Sequence, residues 1–247
     1  MKLTECVDLK HEERLRNEIG GEFEAVGKLE HFLLRALGLQ DDQVVVDVGC
    51  GCGRLAAQLS RYPEIRYMGC DVNPDYLGSA EKTVNRPDWE FVHTSKTAIP
   101  FPDAVGDFVC FFSVFTHLLH EDSFRYLLEA HRVLKPGGLA VFSFLEFKVQ
   151  SHWELFIRSV ESGSYGHLEN QFIDRDAIRS WASHSGFDVI DIHDGDKAHF
   201  EIPEVVIWDA GQRMEGKGNL GQSVAVLRRQ KDSNKTLETI PNGLSQF

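Results

Sequence analysis

Residues 44–54 read VVVDVGCGCGR, and this stretch decides the fold class. The apolar run Val44–Val48 predicts a strand that is covered on both faces, as in a parallel sheet. Three glycines follow at alternate positions and permit a turn whose backbone approaches a ligand with no Cβ in the way. A helix is predicted to start near Leu55. Strand, glycine turn and helix form the first half of a nucleotide-type binding unit.

The composition indicates a folded cytoplasmic protein. A chain of 247 residues with 42% hydrophobic content can bury a large core. The charged first twenty residues lack an apolar leader, and no stretch approaches the roughly 18 apolar residues needed to cross a bilayer. Five cysteines, an odd number, favour reduced thiols. The net charge of −12 argues against nucleic acid as a partner.

Strands and helices are predicted to alternate beyond the first strand. The further predicted strands span residues 65–70, 90–93, 107–112, 139–144, 189–193 and 224–228. The predicted helices span residues 23–37, 74–84 and 124–134, with one more between Asp174 and Gly186. This alternation is typical of a parallel, doubly wound α/β sheet.

Two segments are longer than a simple connection between such elements, and we interpret residues 147–173 and 194–221 as insertions. Loops at the carboxyl edge of the sheet set specificity in such folds, so both insertions are expected to form a lid over a substrate. Residues 1–40 are expected to form an N-terminal helical cap, residues 41–230 the main domain, and residues 231–247 a flexible tail.

Asp71 lies 20 residues after Gly51, at the end of the second predicted strand. An acidic side chain at this spacing can accept hydrogen bonds from both ribose hydroxyls of an adenosine cofactor. Taken alone, Asp71 is better interpreted as a helix-capping or loop aspartate. Together with the glycine turn, it predicts a site for an adenosine-type cofactor.

Four motifs follow one another along the chain: Asp47–Gly53, Gly69–Asn73, Ile99–Asp103 with Asp107–Val109, and Arg132–Gly138. In this order they resemble the motifs of class I S-adenosylmethionine-dependent methyltransferases. The resemblance covers about residues 20–145. It implies a Rossmann-like sheet of seven strands, mostly parallel with the last strand antiparallel, and S-adenosyl-L-methionine as the cofactor.

The resemblance also implies which residues contact the cofactor. The methionine part would be held by Asp47, Gly49, Cys50, Gly51 and Gly53. The ribose would contact Asp71, and Val72 is a further cofactor residue. The stretch Thr94–Thr97, with Ser95, Lys96 and Thr97, would lie by the adenine, and Phe112 and Ser113 by the methyl-bearing end. Ser95 stands where many family members carry an aspartate, and a hydroxyl is a weaker acceptor than a carboxylate.

Acceptor contacts are predicted after the fourth strand and in the insertions. His117 is the candidate general base for an acceptor that carries a proton, with a structural or exposed histidine as the alternative. The candidate acceptor-binding residues are Phe115, Glu146, Trp153, Tyr165 and His167, with Phe200 and Trp208 as further lid residues. The aromatic residues are alternatively core. No metal site is predicted, because the pair formed by His117 and His120 lacks a third ligand.

These features predict a methyltransferase that acts on an oxygen or nitrogen of a small-molecule acceptor. One alternative, a nicotinamide-dependent reductase, expects a glycine where Arg54 stands. The other alternative is a catalytically inactive S-adenosylmethionine-binding module that acts as a partner or regulator. The sequence leaves the acceptor and the oligomeric state open.

Overall fold

The computed structural model describes residues 3–162 and 170–231. The strands are β1 (Val44–Val48), β2 (Arg66–Asp71), β3 (Glu90–His93), β4 (Gly106–Phe111), β5 (Leu134–Phe144), β6 (Phe187–His193), β7 (Phe200–Ile207), β8 (Arg213–Gly218) and β9 (Ser223–Arg229). The helices are α1 (Leu3–Glu18), α2 (Phe23–Ala36), α3 (Arg54–Leu59), α4 (Pro74–Val84), α5 (His120–Val133), α6 (Gln150–Ser162) and α7 (Arg175–Ser185). A short 3-10 turn spans Phe115–His117.

Seven of these strands form one sheet in the order β3-β2-β1-β4-β5-β9-β6. Strands β1 to β5 pair in parallel, and β9 runs antiparallel to both of its neighbours, β5 and β6. The predicted sheet, mostly parallel with an antiparallel last strand, is therefore confirmed. The parallel strands direct their carboxyl ends to one edge, where a doubly wound sheet places its ligand.

Helices cover both faces of the sheet, which explains why all five positions of β1 are buried. Val45 lies in the apolar cluster that includes Leu29 of α2. Its neighbour Val46 points to the opposite face, in the cluster that includes Leu127 of α5 and Ile178 of α7. No described helix has both the length and the apolar character that a membrane span requires.

The predicted helix boundaries follow from capping side chains. Asn73 Oδ1 accepts a hydrogen bond from the backbone N–H of Asp75 at 3.0 Å, and Pro74 occupies the first position of α4. Asp174 caps α7 in the same way, and Gly186 ends that helix in the left-handed conformation at φ 79°. Both starts and the stop agree with the sequence analysis.

The second insertion differs from the prediction, because it contains the hairpin of β7 and β8. Pro203 lies at a register shift in β7, and Gly216 adopts φ 76° in β8; both residues conceal the strand pattern in the sequence. The hairpin packs on α2, where Phe200 is buried in the same cluster as Leu29 and Trp208 packs against that cluster. Phe200 and Trp208 therefore lie with the core beside α2.

Candidate active site

A cavity of about 400 Å³ opens at the carboxyl ends of β1, β2 and β4. This volume falls within the roughly 300–1,000 Å³ of small-molecule sites. Its lining residues come from the glycine turn, the ends of these strands, the segments after β3 and β4, the segment between α1 and α2, and helices that include α2, α3 and α5. They include Ile19, Glu30, Asp47, Gly49, Cys50, Gly51, Arg54, Asp71, Val72, Thr94, Phe112, Ser113, Val114, His117 and Tyr126.

The glycine turn needs its glycines for both conformation and space. Gly49, Gly51 and Gly53 adopt φ values of 72°, 55° and 80°, which residues with a Cβ disfavour. A Cβ on Gly49 would lie 2.5 Å from Cγ2 of Val114, and a Cβ on Gly53 would lie 2.9 Å from the Cβ of Ala80. The turn therefore packs against Val114, just after β4, on one side and against α4 on the other.

The backbone amides of the glycine turn are directed at protein acceptors. The N–H groups of Gly49 and Cys50 donate to the carbonyl of Cys70 at 2.8 and 3.1 Å, and Gly53 N–H donates to the Cys50 carbonyl at 3.0 Å. Gly51 N–H donates to the Asp71 carboxylate at 2.9 Å. These four donors are consequently already hydrogen-bonded within the protein.

Asp71 stands at the end of β2 with its carboxylate held from two sides. Oδ2 accepts from Gly51 N–H and Oδ1 accepts from Asn73 N–H, both at 2.9 Å. A carboxylate has about four lone-pair positions, so each oxygen can accept one more hydrogen bond from a ligand. Asp71 is 8% exposed, and burial raises its pKa. The structure places it in the cavity wall, as predicted from its spacing.

Asp47 lies near the carboxyl end of β1 and accepts a hydrogen bond from a residue of β2. The Tyr67 hydroxyl donates to Oδ2 of Asp47 at 2.6 Å, and both side chains are buried. Burial raises the pKa of Asp47 to about 7, despite the opposing effect of the Tyr67 hydrogen bond. The carboxyl group therefore changes charge near neutral pH.

A buried ion pair joins the N-terminal helices to the glycine turn. Arg54 Nε donates to Oε1 of Glu30 at 2.8 Å, and Arg54 Nη1 donates to the Gly20 carbonyl at 3.0 Å. Glu30 is only 2% exposed, and burial raises its pKa in spite of the nearby guanidinium. Through these contacts Arg54 fixes α2 and the turn after α1 beside the cavity.

The free energy of unfolding of the ligand-free protein is expected to decrease as pH rises through about 7, because of Asp47. Its folded-state pKa lies above the unfolded value near 3.9. The extra stability that protonated Asp47 gives the folded state is therefore fully present below pH ~3.9. It is lost as pH rises from there through the folded-state pKa of about 7. Denaturant titrations should show wild type losing about 2–3 kcal/mol relative to Asp47→Asn between pH 5 and pH 8, most of it below pH 7.

The exposed Asp75 offers a control for this pH dependence. Asp75→Asn is expected to keep the wild-type pH profile, because the wild-type side chain is in water. Identical profiles for wild type and Asp47→Asn would contradict the assignment.

The remaining predicted cofactor residues divide into two groups. The cavity lining includes Asp47, Gly49, Cys50, Gly51, Asp71, Val72, Phe112 and Ser113, whereas Gly53 lies outside it. The loop after β3 contributes Thr94 to the lining rather than Ser95, Lys96 or Thr97. Ser95 and Lys96 are exposed, and Thr97 Oγ1 donates to Asp122 at 3.4 Å.

The predicted acceptor residues are more scattered. His117 is exposed and lines the cavity. Phe115 is fully buried between Phe111 and Phe142, with ring centroids 4.8 and 4.7 Å away, because its turn directs the ring into the core. Its packing is that of a core residue, outside the cavity lining. Tyr165 and His167 lie outside the described residues.

Glu146, which directly precedes the first insertion, and Trp153, which lies within it, have different surroundings. The Glu146 carboxylate is buried and paired with Arg175, at 2.6 Å to Nη2 and 2.8 Å to Nε, and it accepts a hydrogen bond from Ser223. Trp153 is 42% exposed and packs against Phe147 and Phe156. Neither side chain is among the lining residues of the cavity.

Sequence reasoning missed several residues of the site, among them Glu30, Arg54 and Tyr126. Glu30 and Tyr126 lie on helical faces that the apolar periodicity assigned to packing, and Arg54 was noted only as a departure from a glycine pattern. For these missed residues the sequence offered one signal, the acidic Glu30 among the apolar residues of α2. Among the described residues, no group of three or more His, Cys, Asp or Glu side chains is placed to hold a metal ion.

Comparison with known proteins gives one family match. Residues 46–142 match the family model described as a methyltransferase domain. Cycloartenol-C-24-methyltransferase of Arabidopsis thaliana is 33% identical over 119 residues, which are 46% of this chain and 34% of that protein. Demethylmenaquinone methyltransferase of Chlorobaculum tepidum is 35% identical over 96 residues, 39% of this chain and 38% of that protein. The chain thus spans about a third of the length of the curated relatives it matches.

The fold has solved counterparts. Magnesium protoporphyrin IX methyltransferase of Synechocystis, solved with bound S-adenosylhomocysteine, superimposes with a TM-score of 0.57. The match covers 83% of this chain and 81% of that chain at 14% sequence identity. At this level of identity the likeness concerns the fold.

Proposed function

We propose that this chain, which carries a class I S-adenosylmethionine-dependent methyltransferase domain, transfers a methyl group to a small-molecule acceptor. The cofactor, S-adenosyl-L-methionine, supplies when bound a methyl group on a sulfonium ion that is already activated for displacement. The protein then has to bind it, orient an acceptor and exclude water.

The charge of the cavity is the observation that carries this proposal. Among the described residues that line it, four have carboxyl groups, Glu18, Glu30, Asp47 and Asp71. Arg54, the one lining residue with a guanidinium or ammonium group, is paired with Glu30. Four amides of the glycine turn, those of Gly49, Cys50, Gly51 and Gly53, are also hydrogen-bonded within the protein. This site suits a sulfonium and an ammonium group better than the pyrophosphate of a nicotinamide cofactor, which needs free donors.

The residues fit the parts of this cofactor. Asp71 retains acceptor capacity on both oxygens for the two ribose hydroxyls, and Val72, 65% exposed at the cavity, offers apolar contact to the adenine. Asp47 and the glycine turn would take the methionine end. Phe112 and Ser113 would form the wall beside the sulfur, where an aromatic face can stabilise a cation.

We propose that the acceptor is an apolar small molecule. Four rings form an aromatic surface at the first insertion: Phe147, Trp153, Phe156 and Phe172. Phe147 is 50% exposed and stacks on Phe172 with centroids 4.7 Å apart. Gln171 N–H, next to Phe172, donates to the Thr116 carbonyl at 2.7 Å, which sets this surface beside the segment that carries His117. Exposed aromatic groups next to a site favour an apolar ligand.

The atom that receives the methyl group decides whether His117 has a chemical role. A base is needed for a hydroxyl or amine acceptor, and exposed His117 can pass a proton from such a group to solvent. The curated relative from Arabidopsis is named for methylation at a carbon, C-24, so carbon is the alternative to the oxygen or nitrogen predicted from sequence. A cytoplasmic location and the absence of a nucleic-acid partner stay predictions from composition.

Turnover assays test this proposal against an inactive binding module. S-adenosylhomocysteine release should be followed with quinones, sterols and apolar phenols as acceptors. We expect Phe147→Ala to raise the acceptor KM by about tenfold, since it removes a large contact, with cofactor affinity unchanged. Ile207→Ala, which truncates an exposed apolar residue on β7, is the control. Cofactor binding without turnover across this panel would favour the binding module instead.

A further inference from the structure

Ser113 holds an unfavourable backbone conformation at the end of β4. Its φ of 58° lies in the left-handed region, which a residue with a Cβ disfavours. Asn85, another non-glycine residue with positive φ, forms the C-cap of α4, where that conformation is usual. Ser113 has no helix to cap and lines the cavity. Strain of this kind persists where surrounding contacts impose it, commonly at functional sites.

Ser143 and Gln222 supply those contacts. Ser113 N–H donates to Ser143 Oγ at 2.7 Å, and Ser143 Oγ donates to Gln222 Oε1 at 2.6 Å. The Ser113 hydroxyl also reaches Gln222 Oε1 at 3.4 Å. Ser143 is 2% exposed, so water does not readily replace these bonds. The amide oxygen of Gln222, the residue before β9, thus contacts Ser113, which follows β4, and Ser143 of β5.

Gln222 is itself fixed from both sides. The carbonyl of the preceding Gly221 lies 2.9 Å from His152 Nε2, and the following Ser223 donates to the Glu146 carboxylate. His152 Nδ1 accepts from Glu146 N–H at 3.1 Å, which leaves its proton on Nε2 for the Gly221 carbonyl. Gln222 therefore has its backbone anchored to the start of the first insertion.

The conformation of Ser113 matters because Val114 follows it. Val114 Cγ2 would lie 2.5 Å from a Cβ on Gly49, so it packs directly on the glycine turn. A change of φ at Ser113 redirects Val114 and with it this wall of the cavity. The bonds to Ser113 therefore determine how the β4 end meets the glycine turn.

We propose that Gln222 is a positioning residue, which holds Ser113 in the left-handed conformation through Ser143 and so keeps the cofactor cavity in its binding shape. This inference rests on the proposed function. It connects the first insertion, through His152 and Glu146, to the wall beside the cofactor.

Calorimetric titration with S-adenosylhomocysteine tests the role of Gln222. Gln222→Leu should weaken binding by about tenfold, because Ser113 relaxes and the binding-competent fraction falls. Gln222→Glu should stay within about threefold of wild type, since a carboxylate still accepts both hydroxyl protons. Gln230→Leu is the matched control, because Gln230 sits at the other end of β9 and bonds only to exposed Asp188 among its described side-chain contacts.

The Ser113→Gly background distinguishes a positioning role of Gln222 from a general loss of structure in the Gln222→Leu variant. Glycine adopts φ 58° without strain, so Gln222→Leu should change affinity by less than about twofold in the Ser113→Gly background. An equal loss in both backgrounds, or wild-type affinity in Gln222→Leu alone, would overturn the inference while leaving the proposed function intact. A wild-type protein that does not bind S-adenosylhomocysteine would overturn both.

Discussion

Asp71→Ala is expected to weaken S-adenosylhomocysteine binding by at least about a hundredfold. Two hydrogen bonds from ribose hydroxyls to a carboxylate are worth roughly 1.5–3 kcal/mol each, and a hundredfold corresponds to about 2.7 kcal/mol. The substitution also removes the acceptor for the N–H groups of Gly51 and Asn73, which loosens the glycine turn. Isothermal titration calorimetry measures the change directly.

Asp75→Asn is the control for this experiment. Asp75 lies four residues further along, in the first turn of α4, and its side chain is exposed. Its neutralisation is expected to change affinity by less than about threefold, since exposed charges interact weakly with a ligand. Comparable losses for the two variants would mean that the acidity of the region, rather than the Asp71 carboxylate, governs binding.

Gly53→Ala is expected to lower the free energy of unfolding by about 2–5 kcal/mol. The left-handed backbone at φ 80° costs a residue with a Cβ roughly 1–2 kcal/mol. The new Cβ would also lie 2.9 Å from the Cβ of Ala80 and 3.2 Å from its Cα, and such overpacking costs roughly 1–3 kcal/mol. Urea titration in the absence of ligand measures the loss, because no bound cofactor then compensates for it.

For a nearby glycine, substitution by alanine is expected to raise the free energy of unfolding instead of lowering it. Gly78 lies inside α4, and a Cβ there would have no atom within 4 Å. Gly78→Ala should therefore raise the free energy of unfolding by roughly 0.5–1 kcal/mol, the usual gain in a helix interior. If both variants were destabilised alike, the conformational argument for the glycine turn would be wrong.

The sheet and the cofactor edge were predictable because their signals are local. The buried run of β1, the glycine spacing and the caps Asn73 and Asp174 each depend on neighbouring residues, and the structure confirms the elements that they predict. Asp71 was predictable because one short helix and one strand, α3 and β2, separate it from Gly51 and set the spacing of 20 residues.

The remainder of the site depends on contacts between distant parts of the chain. Glu30 meets Arg54 across 24 residues, and Ser113 meets Gln222 across 109, so no spacing rule links them. The adenine contact assigned to Ser95 depended on an alignment without local support, and the lining residue from that loop is Thr94. Phe115 was assigned to the cavity by proximity in sequence, but the 3-10 turn directs its ring into the core.

The central claim is that the acid-lined cavity beside the glycine turn binds S-adenosylmethionine. Titration of the wild-type chain with S-adenosylhomocysteine and, in parallel, with NADH tests it most directly. We expect one S-adenosylhomocysteine to bind per chain with a Kd of about 1–100 μM. We expect no detectable heat with NADH, because the cavity presents its pyrophosphate with carboxylates and with amides that are already hydrogen-bonded within the protein. Binding of NADH with equal or greater affinity, or no binding of S-adenosylhomocysteine by the folded protein, would contradict this account.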